Sequence, residues 1–176
     1  MLYRAAFGSS EFGITVVRMK NGKLEVIYSE GFQRPLYNEM IALIRQLIQK
    51  YHVCKVFLDG SNPSIVTELK HSYGSSEYQN YHLLEEKIIR GWETSDCRYN
   101  RIVPINFQTH HKEMLYNLMK IVQKRAIRID NDRFQKLIIA LRTAKNKGEY
   151  DLDKQSTSYD DLLDALMLST LVISFK

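Results

Sequence analysis

The stretch Ser158-Tyr159-Asp160-Asp161-Leu162-Leu163-Asp164-Ala165-Leu166 opens the last apolar segment of the chain. Three acids fall within five residues, and the last of them lies in a run that is otherwise nearly all apolar. On a helix, Asp161 and Asp164 share a face at i, i+3, and Asp160 and Asp164 do so at i, i+4. A carboxylate on a core-facing helix is costly unless it is paired or binds a metal. Upstream, Val56-Phe57-Leu58-Asp59-Gly60 sets one more acid at the end of an apolar, strand-like run. Strand-end and helix carboxylates that converge are the hard oxygen ligands that Mg²⁺ or Mn²⁺ takes. The expectation from these residues is a metal-dependent nuclease.

Each acid also has a plainer explanation. Asp160 and Asp161 suit the first turn of any helix, where acids favour the macrodipole. Ser158 with Asp161 makes an N-terminal capping pattern. Asp59 before Gly60 suits a strand-end turn. Asp164 fits such explanations least, because it sits a turn further in among Leu162, Leu163, Leu166 and Met167. The joint pattern is what favours a metal.

The 176 residues suffice for one domain with a core, and 44% hydrophobic with 26% charged residues fits a globular protein. Lys and Arg number 25 against 20 acids, a net charge of +5, which permits a polyanionic partner without demanding one. Much of the excess lies in one third of the chain, at Lys112, Lys120, Lys124, Arg125, Arg128, Arg133, Lys136, Arg142, Lys145 and Lys147. These residues serve equally as the solvated face of two amphipathic helices or as phosphate contacts. Lys112 and Lys154 are further candidates for DNA phosphate, on charge and position. His110 and His111 are adjacent, so a helix points them apart, and they read as a surface pair. Cys54 and Cys97 lack metal-ligand spacing and are expected to be reduced thiols in a cytoplasmic protein. No apolar run is long enough to cross a bilayer, and the first six residues are too mixed for a signal peptide, so no membrane partner is expected.

Residues 13–19 are β-branched and strand-like, Asn21-Gly22 is a hairpin signal, and Leu24-Glu25-Val26-Ile27-Tyr28 continues as a second strand. Residues 2–7 fit a preceding strand, giving a three-strand antiparallel meander. Helices are expected over 38–51, from Asn62-Pro63 to about Gly74, over 78–90, 111–123 and 132–143, and from Asp160 to about Ser174. Strands are expected over 53–58 and over 102–107, the latter near an edge because Pro104 donates to no ladder. Residues 126–129 suit a short strand or turn, and 144–157 read as a polar, mobile connection. Strands first as a meander and then alternating with helices predict an α/β protein with a mixed sheet and helices on both faces.

This order resembles the ribonuclease H-like superfamily, and more closely the nuclease domain of large terminase subunits from tailed bacteriophages and related archaeal viruses. The residues that carry the resemblance are Phe7-Gly8-Ser9-Ser10-Glu11-Phe12-Gly13-Ile14, Val56-Phe57-Leu58-Asp59-Gly60-Ser61-Asn62-Pro63, Ile102-Val103-Pro104-Ile105-Asn106-Phe107 and Tyr159-Asp160-Asp161-Leu162-Leu163-Asp164-Ala165-Leu166. The resemblance covers nearly the whole chain, and the last motif is the most specific. It implies a single nuclease domain over 1–176 that cuts double-stranded viral DNA during genome packaging, in the host cytoplasm. It also implies two divalent ions, Mg²⁺ or Mn²⁺. Asp59 and Asp164 are then the principal ligands, Asp161 or Asp160 is the next, and Asp59, Asp161 and Asp164 are catalytic. Lys112, Lys124, Arg125 and Lys154 are the candidate DNA contacts. A separate terminase ATPase, a small terminase subunit and a portal protein are the implied partners.

The sequence departs from that pattern twice. No glycine-rich lysine loop for nucleotide phosphates occurs, so no ATPase motor is expected on this chain. The family's first acid belongs on the first strand, where Arg4-Ala5-Ala6 stands; Glu11 lies beyond the turn. A late start, a natural pseudo-nuclease and a deliberate replacement each account for this, and impaired cleavage is expected. A non-catalytic DNA-binding module of the same fold is the alternative. Another ribonuclease H-like nuclease, such as a Holliday-junction resolvase, is a second.

Overall fold

A two-residue turn fixes the first part of the molecule. Asn21 and Gly22 both take positive φ, 52° and 71°, as a type I′ hairpin demands. In a computed structural model, which describes residues 2–4, 11–76, 101–148 and 151–172, this turn joins β2 (Glu11–Lys20) to β3 (Lys23–Gln33). The pairing is antiparallel, from Lys20 opposite Lys23 to Glu11 opposite Gln33. One irregularity, between Val16 and Val17, leaves Ile27 of β3 without a directly opposed residue, the count of a β-bulge. β1 (Leu2–Arg4) pairs antiparallel with β2, so the expected meander is present.

The chain divides into two compact units, Met1–Arg34 with Gln108–Lys176, and Pro35–Phe107. In the first, β6 (Ile127–Arg128) runs parallel to β3 and completes the order β1-β2-β3-β6. The central strand β2 is buried through Phe12, Gly13, Ile14, Thr15 and Val16, without the alternation of a sheet that is wet on one side. Its described residues include the helices α3 (Phe107–Gln123, within this unit from Gln108), α4 (Gln135–Thr143) and α5 (Asp160–Ser169). α5 is buried on all sides from Asp161 onward, as expected of a helix that is apolar all round. It packs against β1, β2, β3 and α4. Thr170, in the 3₁₀ turn that follows, donates from Oγ1 to the Met114 carbonyl of α3 at 3.1 Å.

The second unit holds α1 (Tyr37–Tyr51), β4 (Val56–Asp59), α2 (Pro63–Tyr73) and β5 (Ile102–Ile105). α1 buries Met40, Ile41, Ile44, Leu47 and Ile48, the stripe its periodicity predicts. α2 starts where Asn62 Oδ1 accepts from Ile65 N at 3.3 Å and Pro63 takes the first helical position. β4 and β5 pair in parallel, Asp59 opposite Ile105.

Three expectations need correction. α4 starts at Gln135 and not at residue 132, because Asp130 Oδ1 accepts from Asp132 N and Arg133 N, both at 3.1 Å, and turns the chain first. Residues 144–157 are not a loose connection. They contain a small antiparallel pair, β7 (Asn146–Gly148) with β8 (Asp151–Leu152), and a turn in which Thr157 Oγ1 donates to Asp153 O at 2.7 Å. Leu152 and Thr157 are buried, which anchors a segment whose composition is polar. Cys54 is disulfide-bonded, contrary to the reduced thiol expected from spacing. The expected helix over 78–90 lies outside the described residues. No described helix is long and apolar enough to cross a membrane.

Across the hairpin, Arg18 donates to the Glu25 carboxylate at 2.6 Å and holds its pKa below the ordinary carboxylate value. That stabilisation is present above the unfolded pKa, about 4.3, and is lost as pH falls through the lowered folded value. The turn itself gives a cleaner test. A Cβ on Gly22 meets nothing within 4 Å, so Gly22→Ala adds only left-handed backbone strain. It should cost about 1 kcal/mol, read as a lower denaturant midpoint with an unchanged m-value.

Candidate metal centre

The acids on α5 are placed by a close approach between two backbones. A Cβ built on Gly13 of β2 would lie 2.3 Å from the carbonyl oxygen of Asp161 and 2.6 Å from its carbon. Only glycine lets the first turn of α5 rest this tightly on the strand. Tyr159 caps the helix in the left-handed conformation, φ 55°, and makes no side-chain cap bond. The anticipated Ser158–Asp161 capping pair therefore does not form, and Ser158 N donates instead to Thr143 Oγ1 at 3.0 Å. Asp160 and Asp161 keep their favourable place in the first turn.

Asp160, Asp161 and Asp164 each offer a carboxylate oxygen within 4.8 Å of the others. Asp160 is half-buried, Asp161 is 4% exposed and Asp164 is 0% exposed. Lys154, in the turn after β8, donates from Nζ to Asp164 Oδ2 at 3.0 Å. Buried carboxylates crowded in this way repel one another, and a positive charge among them offsets the cost.

The donor set suits a hard divalent ion. Two oxygens on one octahedral Mg²⁺ lie at most about 4.2 Å apart, twice the metal–oxygen distance. Of three oxygens on one such ion at most one pair is opposed in this way, and the others are adjacent at about 3.0 Å, so carboxylates that stand within 4.8 Å of one another must draw together by up to about 1.8 Å to share it.

Asp59 belongs to the second unit, where it ends β4. Its Oδ1 accepts from Ser61 N at 3.0 Å, so the strand-end turn is real. The carboxylate thus has a local structural task, whatever else it does.

The four candidate DNA contacts fare differently. Lys112 is exposed on α3. Lys124 and Arg125 are exposed beyond the end of α3, where Arg125 takes φ 52° and Arg125 N donates to Val122 O. Cations there also offset the negative end of the helix dipole. Lys154 faces Asp164. Of the wider basic set, Lys120, Arg133 and Lys136 stand over the rings of Tyr116, Phe134 and Tyr159, and Arg128 lies 3.9 Å from Glu25. His110 meets Glu113 one turn on, Nδ1 to Oε2 at 3.3 Å, as befits a helix-surface residue.

Sequence reasoning missed Gly13 and the Lys154–Asp164 pair as parts of the site. A glycine inside a β-branched run was the available signal for the first. No local pattern signals the second.

No protein-family model matches the sequence, and no curated protein matches it. Solved structures do. The large terminase nuclease from thermophilic phage G20c superimposes with a TM-score of 0.63 at 14% identity, over 94% of this chain and 77% of that one. The large terminase nuclease domain from bacteriophage SPP1, solved with bound Mn, superimposes with a TM-score of 0.60 at 14% identity, over 95% and 81%. The chain therefore has the mixed α/β, ribonuclease H-like fold of phage large-terminase nuclease domains. At this identity the likeness is one of fold.

Gly13→Ala tests the close approach. The added methyl meets backbone, so the first turn of α5 must shift, at a cost of about 1–3 kcal/mol. The melting temperature should fall by about 2–4 °C per kcal/mol. Any metal-induced rise in melting temperature should shrink with it, whereas Gly22→Ala should leave that rise intact.

Proposed function

We propose that this chain is a metal-dependent DNA endonuclease domain of the large-terminase type, acting on double-stranded viral DNA during genome packaging. The observation that carries the proposal is the packing of three carboxylates within 4.8 Å on a buried helix of this fold. Asp164 and Asp161 are proposed as ligands, with Asp160 beside them. Asp59 is proposed as a further ligand because of its strand-end position and the motif around it. When bound, a pair of Mg²⁺ or Mn²⁺ ions supplies a water nucleophile at neutral pH and charge for the leaving oxygen. The chain's own contribution is to hold the carboxylates in a fixed, largely dry position. Exposed Lys112, Lys124 and Arg125 serve as contacts to DNA phosphate, and Lys154 joins them when it leaves Asp164. The natural partners on this reading are an ATPase motor, a small terminase subunit and a portal protein, in the cytoplasm of a host cell.

A second reading is a DNA-binding module of the same fold without chemistry. It is favoured by Arg4 in β1 and by the lack of any acid from residue 2 to residue 10. Plasmid cleavage separates the two. With millimolar Mn²⁺, the wild-type protein should nick supercoiled plasmid slowly, and EDTA or Asp164→Asn should abolish nicking. Asp59→Asn keeps an oxygen for Ser61 N, so it should fold normally and yet lose cleavage. Intact plasmid with retained DNA binding would support the module, and preference for a four-way junction would support a resolvase.

Binding should follow the salt law for phosphate contacts, with log K falling linearly against log salt at a slope of about −0.9 per phosphate. Replacing both Lys124 and Arg125 by Gln should weaken binding to every sequence alike. It should reduce the slope by about 2, read by fluorescence anisotropy across a salt series.

A further inference from the structure

Lys154 is delivered to Asp164 by a built frame. It follows β8, whose Leu152 is buried, and precedes Thr157, also buried. Between them Gln155 N donates to Asp153 Oδ1 at 3.2 Å, and Thr157 Oγ1 to Asp153 O at 2.7 Å. This turn carries the ammonium to 3.0 Å from Oδ2 of the most deeply buried acid in the cluster. The carboxylate is 0% exposed and the lysine side chain 40% exposed, so the ammonium can leave toward water while the carboxylate stays.

We propose that Lys154 is a resident counter-ion of the acid cluster, which competes with a divalent cation for Asp164 and sets how tightly that cation binds. The inference rests on the metal reading above and adds to it a residue that acts through Asp164. Three carboxylates and one ammonium leave the cluster with less negative charge than its acids alone. A divalent ion entering beside the ammonium meets a like charge a few ångströms away, in a site where the effective dielectric constant is about 20 or less. That repulsion exceeds thermal energy several-fold, so the ion gains the full attraction of Asp164 only once the lysine has left. The exchange costs affinity, and while no metal is bound the ammonium offsets part of the cost of the buried carboxylate.

The test compares the wild type with Lys154→Met, Lys154→Arg and the double variant Lys154→Met/Asp164→Asn. Mn²⁺ alone is the probe, read by titration calorimetry and by thermal melts with and without the ion. Lys154→Met should melt lower without metal, bind Mn²⁺ at least tenfold more tightly, and show a larger metal-induced rise in melting temperature. Lys154→Arg keeps the charge and should stay near the wild type. The double variant should lose the gain, because the site of competition is gone. A purely structural lysine predicts a lower melt that Mn²⁺ does not restore. Mn²⁺ binding by the wild type that is equal to or tighter than that of Lys154→Met would overturn the competition and leave the metal reading standing. Absence of Mn²⁺ binding in all four proteins would overturn both.

Discussion

The contact between Gly13 and the Asp161 carbonyl governs the first unit. It lets a helix backbone lie directly on the middle strand of an antiparallel meander, with no side chain between them at that point. Everything else about α5 follows from this closeness. The helix is covered on all sides, so its residues are apolar wherever chemistry does not intervene. Its first turn is held in place by backbone, which no rotamer change can relax. Carboxylates on that turn and the next thereby gain fixed positions, which a ligand set for a hard cation requires.

The cost of that placement is electrostatic. A wholly buried Asp164 and a nearly buried Asp161, with Asp160 alongside, would not be retained for stability alone, since apolar residues of similar size would pack there more favourably. Lys154 offsets part of the cost and comes from a segment with no apolar pattern of its own. A turn tied by Asp153, with Leu152 and Thr157 as buried anchors, gives that segment its order. Order in a polar stretch arises here from two buried points and a few hydrogen bonds, and from no periodicity.

Cations elsewhere in the unit show how little charge counting reveals alone. The same third of the chain supplies lysines and arginines over aromatic rings, an arginine near Glu25, and exposed residues beyond the end of α3. The sequence placed all of them in one class, and the neighbouring rings and Glu25 set some of them apart.

By itself the sequence determined the elements whose signals are local. The Asn21-Gly22 turn follows from the φ angles those residues tolerate, and α1 and α2 follow from apolar spacing and from Asn62-Pro63 as a helix start. Asp160, Asp161 and Asp164 were legible as one cluster because helical spacing alone sets their proximity. Asp59 was legible as a strand end, and its turn with Ser61 is equally local. The tertiary structure alone decided which face Gly13 must leave open, where Asp130 delays α4, and which cation reaches Asp164. Contacts between residues distant in the chain depend on how elements pack, and spacing within one segment carries no record of that. The Asp130 turn is local, yet it prevailed over a helical pattern of equal reach, and only the folded chain shows which of two local preferences wins.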